Sequence, residues 1–148
     1  MKRILLGILL FTLLSAETCN TTNTVVHNDG TPLLESKWVL QSLGGTTVTM
    51  PDGMPAPWMK LVKVGSAVEG NGGCNALMGS FALEGNKLTF PGGVGSTKMY
   101  CKPVMATETD FLGALKRVDQ YELAGGVLQL LGPGTVLATL KSDQSSSG

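Results

Sequence analysis

Apolar and polar residues alternate in short runs along most of the chain. Because successive side chains of a strand point to opposite faces of a sheet, such runs predict β-strands with one buried face. Pairs of Gly, Pro or Asn residues separate the runs and are typical of tight turns. About nine short strands are predicted, in the segments 36–42, 46–49, 58–64, 75–83, 87–90, 96–101, 120–123, 127–131 and 135–140.

One segment, about 103–118, has helical rather than strand periodicity. Pro103 suits the first turn of a helix, and Glu108 and Asp110 place negative charge near its N-terminus, where the helix dipole favours it. Apolar residues recur at helical spacing: Val104, Phe111, Leu112, Leu115 and Val118. The fold class predicted is mostly β, within α+β: an antiparallel barrel-like or strongly coiled sheet with one packed helix.

The N-terminal residues, 1–18, have the layout of a secretory signal peptide. Lys2 and Arg3 precede an uncharged apolar run, 4–14, and small residues follow it. The run is too short to cross a bilayer, which takes a helix of roughly 20 residues. We therefore expect an exported protein without a transmembrane helix.

Three further regions follow the signal segment. Residues 19–35 are polar and without periodicity, which predicts a tether. Residues 36–141 carry the alternating runs and are predicted to form one domain, and 142–148 form a Ser-rich tail expected to be disordered.

The first of the three cysteines, Cys19, has two interpretations. It stands just after the signal segment, where a lipidated cysteine would anchor the protein to a membrane. The residues before it, Glu17 and Thr18, depart from the lipoprotein signal pattern, and cleavage after Ala16 would instead release a soluble protein. The expected location is the periplasm or the outer membrane, or outside the cell if Cys19 is not lipidated.

Composition excludes some functions. Charged residues make up 15% of the chain and its formal net charge is zero, so no basic stripe is available for nucleic acid. The single histidine, His27, lies in the predicted tether and has no ligand partner at metal-binding spacing. A nucleophilic cysteine would lack a base, and no Gly-x-Ser-x-Gly motif occurs. We expect no cofactor, no metal and no enzymatic activity.

An ordered set of motifs spans the predicted domain: Trp38-x-Leu40, Gly72-Gly-Cys-Asn-x-x-x-Gly79-x-Phe81, Thr97-Lys-Met-x-Cys101, and Glu108-x-x-Phe111-Leu112-x-x-Leu115 with Tyr121. In this order the motifs resemble the META domain, the domain of the heat-shock protein HslJ family. The resemblance covers the chain from Trp38 to about Leu140.

The resemblance implies a mostly antiparallel, barrel-like β fold with one helix. Bacterial members of the family are commonly exported or lipoproteins, and are linked to stress response and to drug or virulence phenotypes. It implies no enzymatic activity, so no catalytic residue carries over. The fold is also similar to that of secretin pilot lipoproteins, which hold lipid in an apolar cleft.

Gly70, Gly72 and Gly73 predict a glycine-rich turn, and the other two cysteines, Cys74 and Cys101, each lie at the end of a predicted strand near it. Export would place them in an oxidising compartment, so we predict a disulfide between them. The alternative is a pair of buried free thiols, which pack as small hydrophobic groups.

Methionines and a tryptophan could line an adaptable apolar cleft: Trp58, Met59, Met78 and Met99. The alternative is that most of them belong to the core. The sequence leaves three functions open. The first is a monomeric exported protein that binds or scaffolds an envelope protein or lipid partner in stress tolerance. The second is a pilot-like carrier of lipid or peptide, and the third is a small hydrolase or inhibitor whose site is assembled by the fold.

Overall fold

The structure, a computed structural model, describes residues 32–143. Within that range the chain forms eleven strands and one α-helix. The strands are β1 (Lys37–Leu43), β2 (Thr46–Thr47), β3 (Trp58–Val62), β4 (Ala67–Asn71), β5 (Ala76–Ser80), β6 (Ala82–Glu84), β7 (Lys87–Thr89), β8 (Val94–Ser96), β9 (Gln120–Ala124), β10 (Val127–Gly132) and β11 (Thr135–Ser142). The helix is α1 (Met105–Leu115), and a 3-10 turn (Val64–Ser66) joins β3 to β4.

All eleven strands belong to one antiparallel sheet. Its order is β6-β7-β9-β10-β11-β1-β3-β4-β5-β8, and β2 pairs with β1 off this path. The sheet is strongly curled into a half-barrel, and α1 packs against β1, β8 and β11. The predicted fold class is therefore confirmed.

The first and last strands are neighbours in the middle of the sheet. Trp38 of β1 lies opposite Ser142 of β11, and Leu40 lies opposite Leu140. On the other side of β1, Trp38 pairs with Met59 of β3. The strands nearest the two chain ends thus lie side by side at the centre of the sheet.

The core lies between the concave face of the sheet and α1. Alternate residues of β3 and β10 are buried, as the period of two requires. On α1, Phe111 and Leu115 are one turn apart and fully buried. Each such side chain contributes roughly 1.5–3 kcal/mol by leaving water. The largest fully buried apolar side chains are Trp38, Phe111, Met59, Leu61, Leu88, Leu115, Leu128, Leu130 and Leu140.

Two strands differ from the sequence prediction. Residues 67–71 were expected to lead into the glycine-rich turn, but they form β4. Gly70 makes this possible because it lets the backbone of β3 come close: a Cβ at Gly70 would meet the carbonyl oxygen of Trp58. The predicted strand 75–83 is divided into β5 and β6 at Phe81, whose amide donates to the carbonyl of Ser66 at 2.9 Å.

A third strand is displaced. The sequence predicted a strand over 96–101, whereas β8 is Val94–Ser96 and the residues after it leave the sheet. Val94 already pairs with Gly79 of β5. Beyond Ser96 the amide of Met99 bonds to a side chain, that of Asn75, rather than to a neighbouring strand. The predicted helix, 103–118, is also shorter, because Val104 stands at its N-cap and Lys116 at its C-cap.

The packed part of the chain includes residues that the sequence assigned to the tether. Leu33 is buried, and the indole Nε1 of Trp38 donates to its carbonyl at 2.9 Å. Ser142, assigned to the tail, is the last residue of β11. The predicted signal peptide, the tether up to residue 31 with His27, the lipidation site Cys19 and residues 144–148 lie outside the described residues.

Candidate functional site

The turn between β4 and β5 is shaped by its own hydrogen bonds. The side-chain Oδ1 of Asn71 accepts from the amide of Gly73 at 2.7 Å, and the amide of Gly72 donates to the carbonyl of Asn75 at 2.8 Å. Gly73 has φ 110°, which favours glycine strongly. The turn therefore holds one conformation, with the amides of Cys74 and Asn75 directed towards α1.

The carboxylate of Glu108, in the first turn of α1, receives those amides. Its Oε2 accepts from the backbone amides of Asn75 at 2.8 Å and Cys74 at 3.2 Å. Its Oε1 accepts from the Nδ2 of Asn75 at 2.7 Å. Glu108 is only 2% exposed, and a Cβ on Gly72 would lie 2.5 Å from its Cγ. The helix is thereby bonded to the turn through one buried side chain.

The amide side chain of Asn75, 1% exposed, carries the network on to the segment after β8. Its Oδ1 accepts from the amide of Met99 at 2.7 Å and from the hydroxyl of Thr97 at 2.9 Å. Its Nδ2 donates to the carbonyl of Met99 at 3.0 Å as well as to Glu108. We call Asn75, Thr97 and Glu108 the polar cluster.

A disulfide lies beside the polar cluster. Cys74 and Cys101 are joined by an S–S bond of 2.04 Å, with their Cα atoms 5.8 Å apart. Cys74 directly precedes Asn75. Cys101 lies two residues after Met99, whose backbone is hydrogen-bonded to the side chain of Asn75. The covalent bond and the polar cluster thus join the same turn and the same segment.

The hydrogen bonds of the polar cluster indicate a structural role. Both oxygens of Glu108 already accept bonds from the protein, and no buried side-chain nitrogen or oxygen among the described residues lacks a partner. A proton-transfer role would need a carboxylate oxygen open to a substrate. Glu108 instead satisfies backbone donors that would be costly to bury unpaired.

The sequence predicts Glu108 as a charge at the start of the helix. It does lie in the first turn, but its spacing carried a second signal. Val104, Glu108 and Phe111 recur at intervals of four and three, so that Glu108 falls on the buried stripe of the helix. An acidic residue on that stripe indicates a buried acceptor for backbone donors.

The four residues predicted to line a cleft do not line one together. Trp58 and Met59 are neighbours on β3 and point to opposite faces, and Met59 is fully buried in the core. Trp58 is half-buried, with the Nζ of Lys37 5.3 Å from its ring centroid. Met78 and Met99 are both more than half exposed.

An open groove that the sequence did not indicate lies between α1 on one side and the end of β1, β2 and the two residues after β2 on the other. Its volume is about 510 Å³ and its lining is mostly hydroxyl-bearing. The lining contains none of the four predicted cleft residues: Leu43, Thr46, Thr47, Val48, Thr49, Thr107 and Asp110.

Residues 32–143 contain neither a metal-binding group of side chains nor a membrane-spanning helix. Among residues 32–143, no group of three or more His, Cys, Asp or Glu side chains could hold a metal ion. No helix within this range is long and apolar enough to span a bilayer. Among the described residues, the carboxylates outside the polar cluster are exposed, except for the half-buried Asp119: Glu35, Asp52, Glu69, Glu84, Asp110, Glu122 and Asp143.

A curled antiparallel half-barrel, with one helix bonded to a glycine-rich turn through a buried carboxylate, defines the class of protein. Residues 31–144 match the META domain. The chain belongs to the META domain family, as the motif resemblance predicted, and this family is not a known enzyme family.

Two solved structures are similar to the chain. One is an NMR structure of a protein from Burkholderia xenovorans, 30% identical, covering 76% of this chain and 84% of that one with a TM-score of 0.62. A second NMR structure is 24% identical, covering 72% of this chain and 87% of that one with a TM-score of 0.55, and shows the fold alone. No curated protein matches the chain.

Proposed function

We propose that this META-domain chain is an exported, non-enzymatic protein that acts in envelope stress tolerance by binding or scaffolding. Three features support the proposal. The first 18 residues have the layout of a signal peptide. The family is not a known enzyme family. The residues that carry the family resemblance, including Asn75 and Glu108, hold the turn and the helix together.

The observation that carries the proposal is the bond between Cys74 and Cys101. Disulfides persist in oxidising compartments and are rare in the cytosol, where thiols are kept reduced. This bond lies next to the polar cluster, whose Asn75 and Glu108 are buried, so the oxidised form belongs to the folded state of the domain. A domain built around a disulfide fits the periplasm, the outer membrane or the cell exterior.

Cell fractionation combined with thiol alkylation tests the proposal. The full chain is expressed, the envelope and secreted fractions are separated from cytoplasm, and free thiols are alkylated without reductant. We expect the protein outside the cytoplasm, with Cys74 and Cys101 protected and alkylated only after reduction. Recovery in the cytoplasm with both thiols alkylated would contradict it. The mass of the N-terminal peptide separates lipidation of Cys19 from cleavage after Ala16.

A survival assay tests the role in stress tolerance. Loss of the gene is expected to lower survival under heat or detergent, and the wild-type chain to restore it. The groove variant Asp110→Asn, which leaves the polar cluster untouched, should restore survival as well. Failure of the wild-type chain to alter survival would count against a role in stress tolerance.

The other two functions gain no support from the described residues. A lipid carrier needs an empty apolar interior, whereas here the concave side of the sheet is filled by fully buried side chains such as Trp38, Met59 and Phe111. A hydrolase needs convergent groups that a substrate can reach, whereas Glu108 is 2% exposed and both of its oxygens accept bonds from backbone or side-chain donors.

A further inference from the structure

The segment after the edge strand β8, residues 97–102, exposes most of its side chains. Four consecutive residues, from Thr97 to Tyr100, are exposed, as is Lys102. Tyr100 is 77% exposed and Met99 61%, among the highest values for large apolar side chains in the described part of the chain. We call residues 97–102 the 97–102 loop.

The backbone of this loop is nevertheless fixed. The buried side chain of Asn75 holds both the amide and the carbonyl of Met99, at 2.7 and 3.0 Å. The disulfide to Cys74 fixes the loop at Cys101. Side chains presented on a backbone that is already ordered lose less entropy when they bind a partner. The polar cluster therefore gives the loop a fixed shape although its side chains face solvent.

Positive charge flanks the apolar pair. Lys98 and Lys102 lie on either side of Met99 and Tyr100, and both are exposed. The two ion pairs between described residues involve Lys37 and Lys60 instead. The whole chain has zero formal net charge, so this basic character is local to the loop.

We infer that the 97–102 loop docks the protein on the surface of an anionic phospholipid membrane. Lysines near such a surface are attracted to its headgroups, and their aliphatic stems remain in the interfacial region. Tyrosine is enriched at membrane interfaces because its ring is apolar and its hydroxyl polar. The thioether of Met99 would enter the boundary between headgroups and acyl chains.

The run of four consecutive exposed residues favours a membrane over a protein partner. Lipid headgroups rearrange around a loop, so a fluid bilayer can contact exposed side chains that point in different directions. A protein would need a concave site of matching shape to do the same. The inference rests on the proposed location in the envelope, which would bring the loop near phospholipid.

Vesicle co-sedimentation tests the inference with the full chain, purified after export. Every sample carries Cys19→Ser so that no acyl group contributes to binding. The vesicles are phosphatidylethanolamine with phosphatidylglycerol, and phosphatidylcholine alone. Lys98→Gln/Lys102→Gln removes the charges, and Met99→Ser/Tyr100→Ser removes the apolar pair.

The matched control is Lys63→Gln/Val64→Ser. Val64 is 84% exposed and lies next to an exposed lysine in the turn joining β3 and β4. The strand pairing places this turn at the opposite end of the strands from the 97–102 loop, since Val62 pairs with Ala67 whereas Ala76 lies beside Thr97. Each variant must keep the wild-type midpoint of thermal unfolding.

We expect binding to the anionic vesicles that is lost at about 1 M salt, where the Debye length is about 3 Å. Each lysine near an anionic surface is worth about fivefold in affinity, so the double lysine variant should bind about 25-fold more weakly. The Met99→Ser/Tyr100→Ser variant should lose about tenfold, and the control should match wild type.

Equal affinity for both vesicle types, or an equal loss in the control, would overturn the inference. So would saturable binding to poly-glutamate that depends on the same four residues while vesicles stay unbound, since that result assigns the loop to an acidic protein. Because the assay uses purified protein, its failure is separate from a failure of export in the fractionation experiment.

Discussion

The geometry of the site depends most on the carboxylate of Glu108. Two backbone amides and one side-chain amide converge on its two oxygens. A side chain with one acceptor and one donor cannot serve three donors that approach from both sides.

We therefore expect Glu108→Gln to lower the free energy of unfolding by about 3 kcal/mol, although the side chain keeps its size. Two changes contribute to the loss. Hydrogen bonds to a neutral amide oxygen are weaker than those to a carboxylate, and the buried NH₂ group of the new glutamine faces hydrogen-bond donors instead of an acceptor. Asp110→Asn, an exposed carboxylate on the same helix, is the matched control and should change stability by about 0.5 kcal/mol or less. Urea denaturation monitored by circular dichroism measures both, and equal effects would show that Glu108 does not hold the turn.

A second carboxylate, that of Glu35, gives stability a dependence on pH. The backbone amide of Lys63 donates to its Oε1 at 2.7 Å, and the ammonium of Lys60 lies 3.1 Å from its Oε2. These two contacts, the amide first, hold the pKa of Glu35 below its usual value of 4.5. The contribution to stability is therefore present above pH 4.5 and is lost as the pH falls through the lowered pKa.

The test compares wild type with Glu35→Gln over a range of pH. The stability difference should be constant near neutral pH and shrink as the solution is acidified below about pH 4.5. Lys60→Gln should retain the larger part of this dependence, because the amide of Lys63 remains. A difference that does not vary with pH would exclude Glu35 as the titrating group.

Among the secondary-structure elements, β4 has a glycine with no room for a side chain against the backbone of β3, whereas a glycine of the edge strand β8 has that room. A Cβ added at Gly70 of β4 would collide with the carbonyl oxygen of Trp58, which belongs to the backbone of β3. A Cβ at Gly95 of β8 would lie at an ordinary 3.7 Å from the carbonyl oxygen of Met78.

Gly70→Ala should therefore destabilise the protein by about 2 kcal/mol, because the hydrogen-bonded backbones of β3 and β4 would have to shift to make room for the methyl group. Gly95→Ala should be neutral or stabilise it by up to about 1 kcal/mol, because alanine restricts the unfolded chain. Thermal unfolding of the two variants measures the contrast. Similar losses at both positions would mean that the approach of β3 to β4 is not the cause.

Much of this arrangement of elements could be predicted from the sequence. Strands with clean alternation, such as β1 and β10, and the helix with its apolar stripe were found because local periodicity determines them. β4 was missed because its glycine and asparagine are typical of turns, and only the partner strand makes Gly70 favourable there.

The site was less predictable than the fold. The cysteine pair and the Gly-Cys-Asn motif marked the correct region, but which donors meet the oxygens of Glu108 depends on the packing of α1 on a turn 33 residues away. Cleft residues were predicted from side-chain type alone, and type does not reveal that Trp58 and Met59 face opposite sides of β3.

For the whole molecule, the disulfide acts mainly on the unfolded chain. Cys74 and Cys101 are 27 residues apart, and closing such a loop removes conformational entropy from the unfolded state worth about 3.5 kcal/mol in the chain-entropy model. Cys74→Ala/Cys101→Ala should lose about that amount of stability in urea denaturation.

Reductant supplies the control for this prediction. It should lower the stability of the wild-type protein to near that of the double variant and leave the double variant unchanged. Insensitivity of the wild type to reductant, at a concentration shown by alkylation to open the bond, would contradict a role for the disulfide in stability.

The pairing of β1 with β11 sets the order in which the protein can be completed. A ribosome releases β1 before the other described strands and β11 after them, so the middle of the sheet must wait for residues 135–142 to emerge. Until then one edge of β1 offers its amides and carbonyls to any other strand. Whatever shields the nascent polypeptide must therefore cover that edge until β11 has been synthesised.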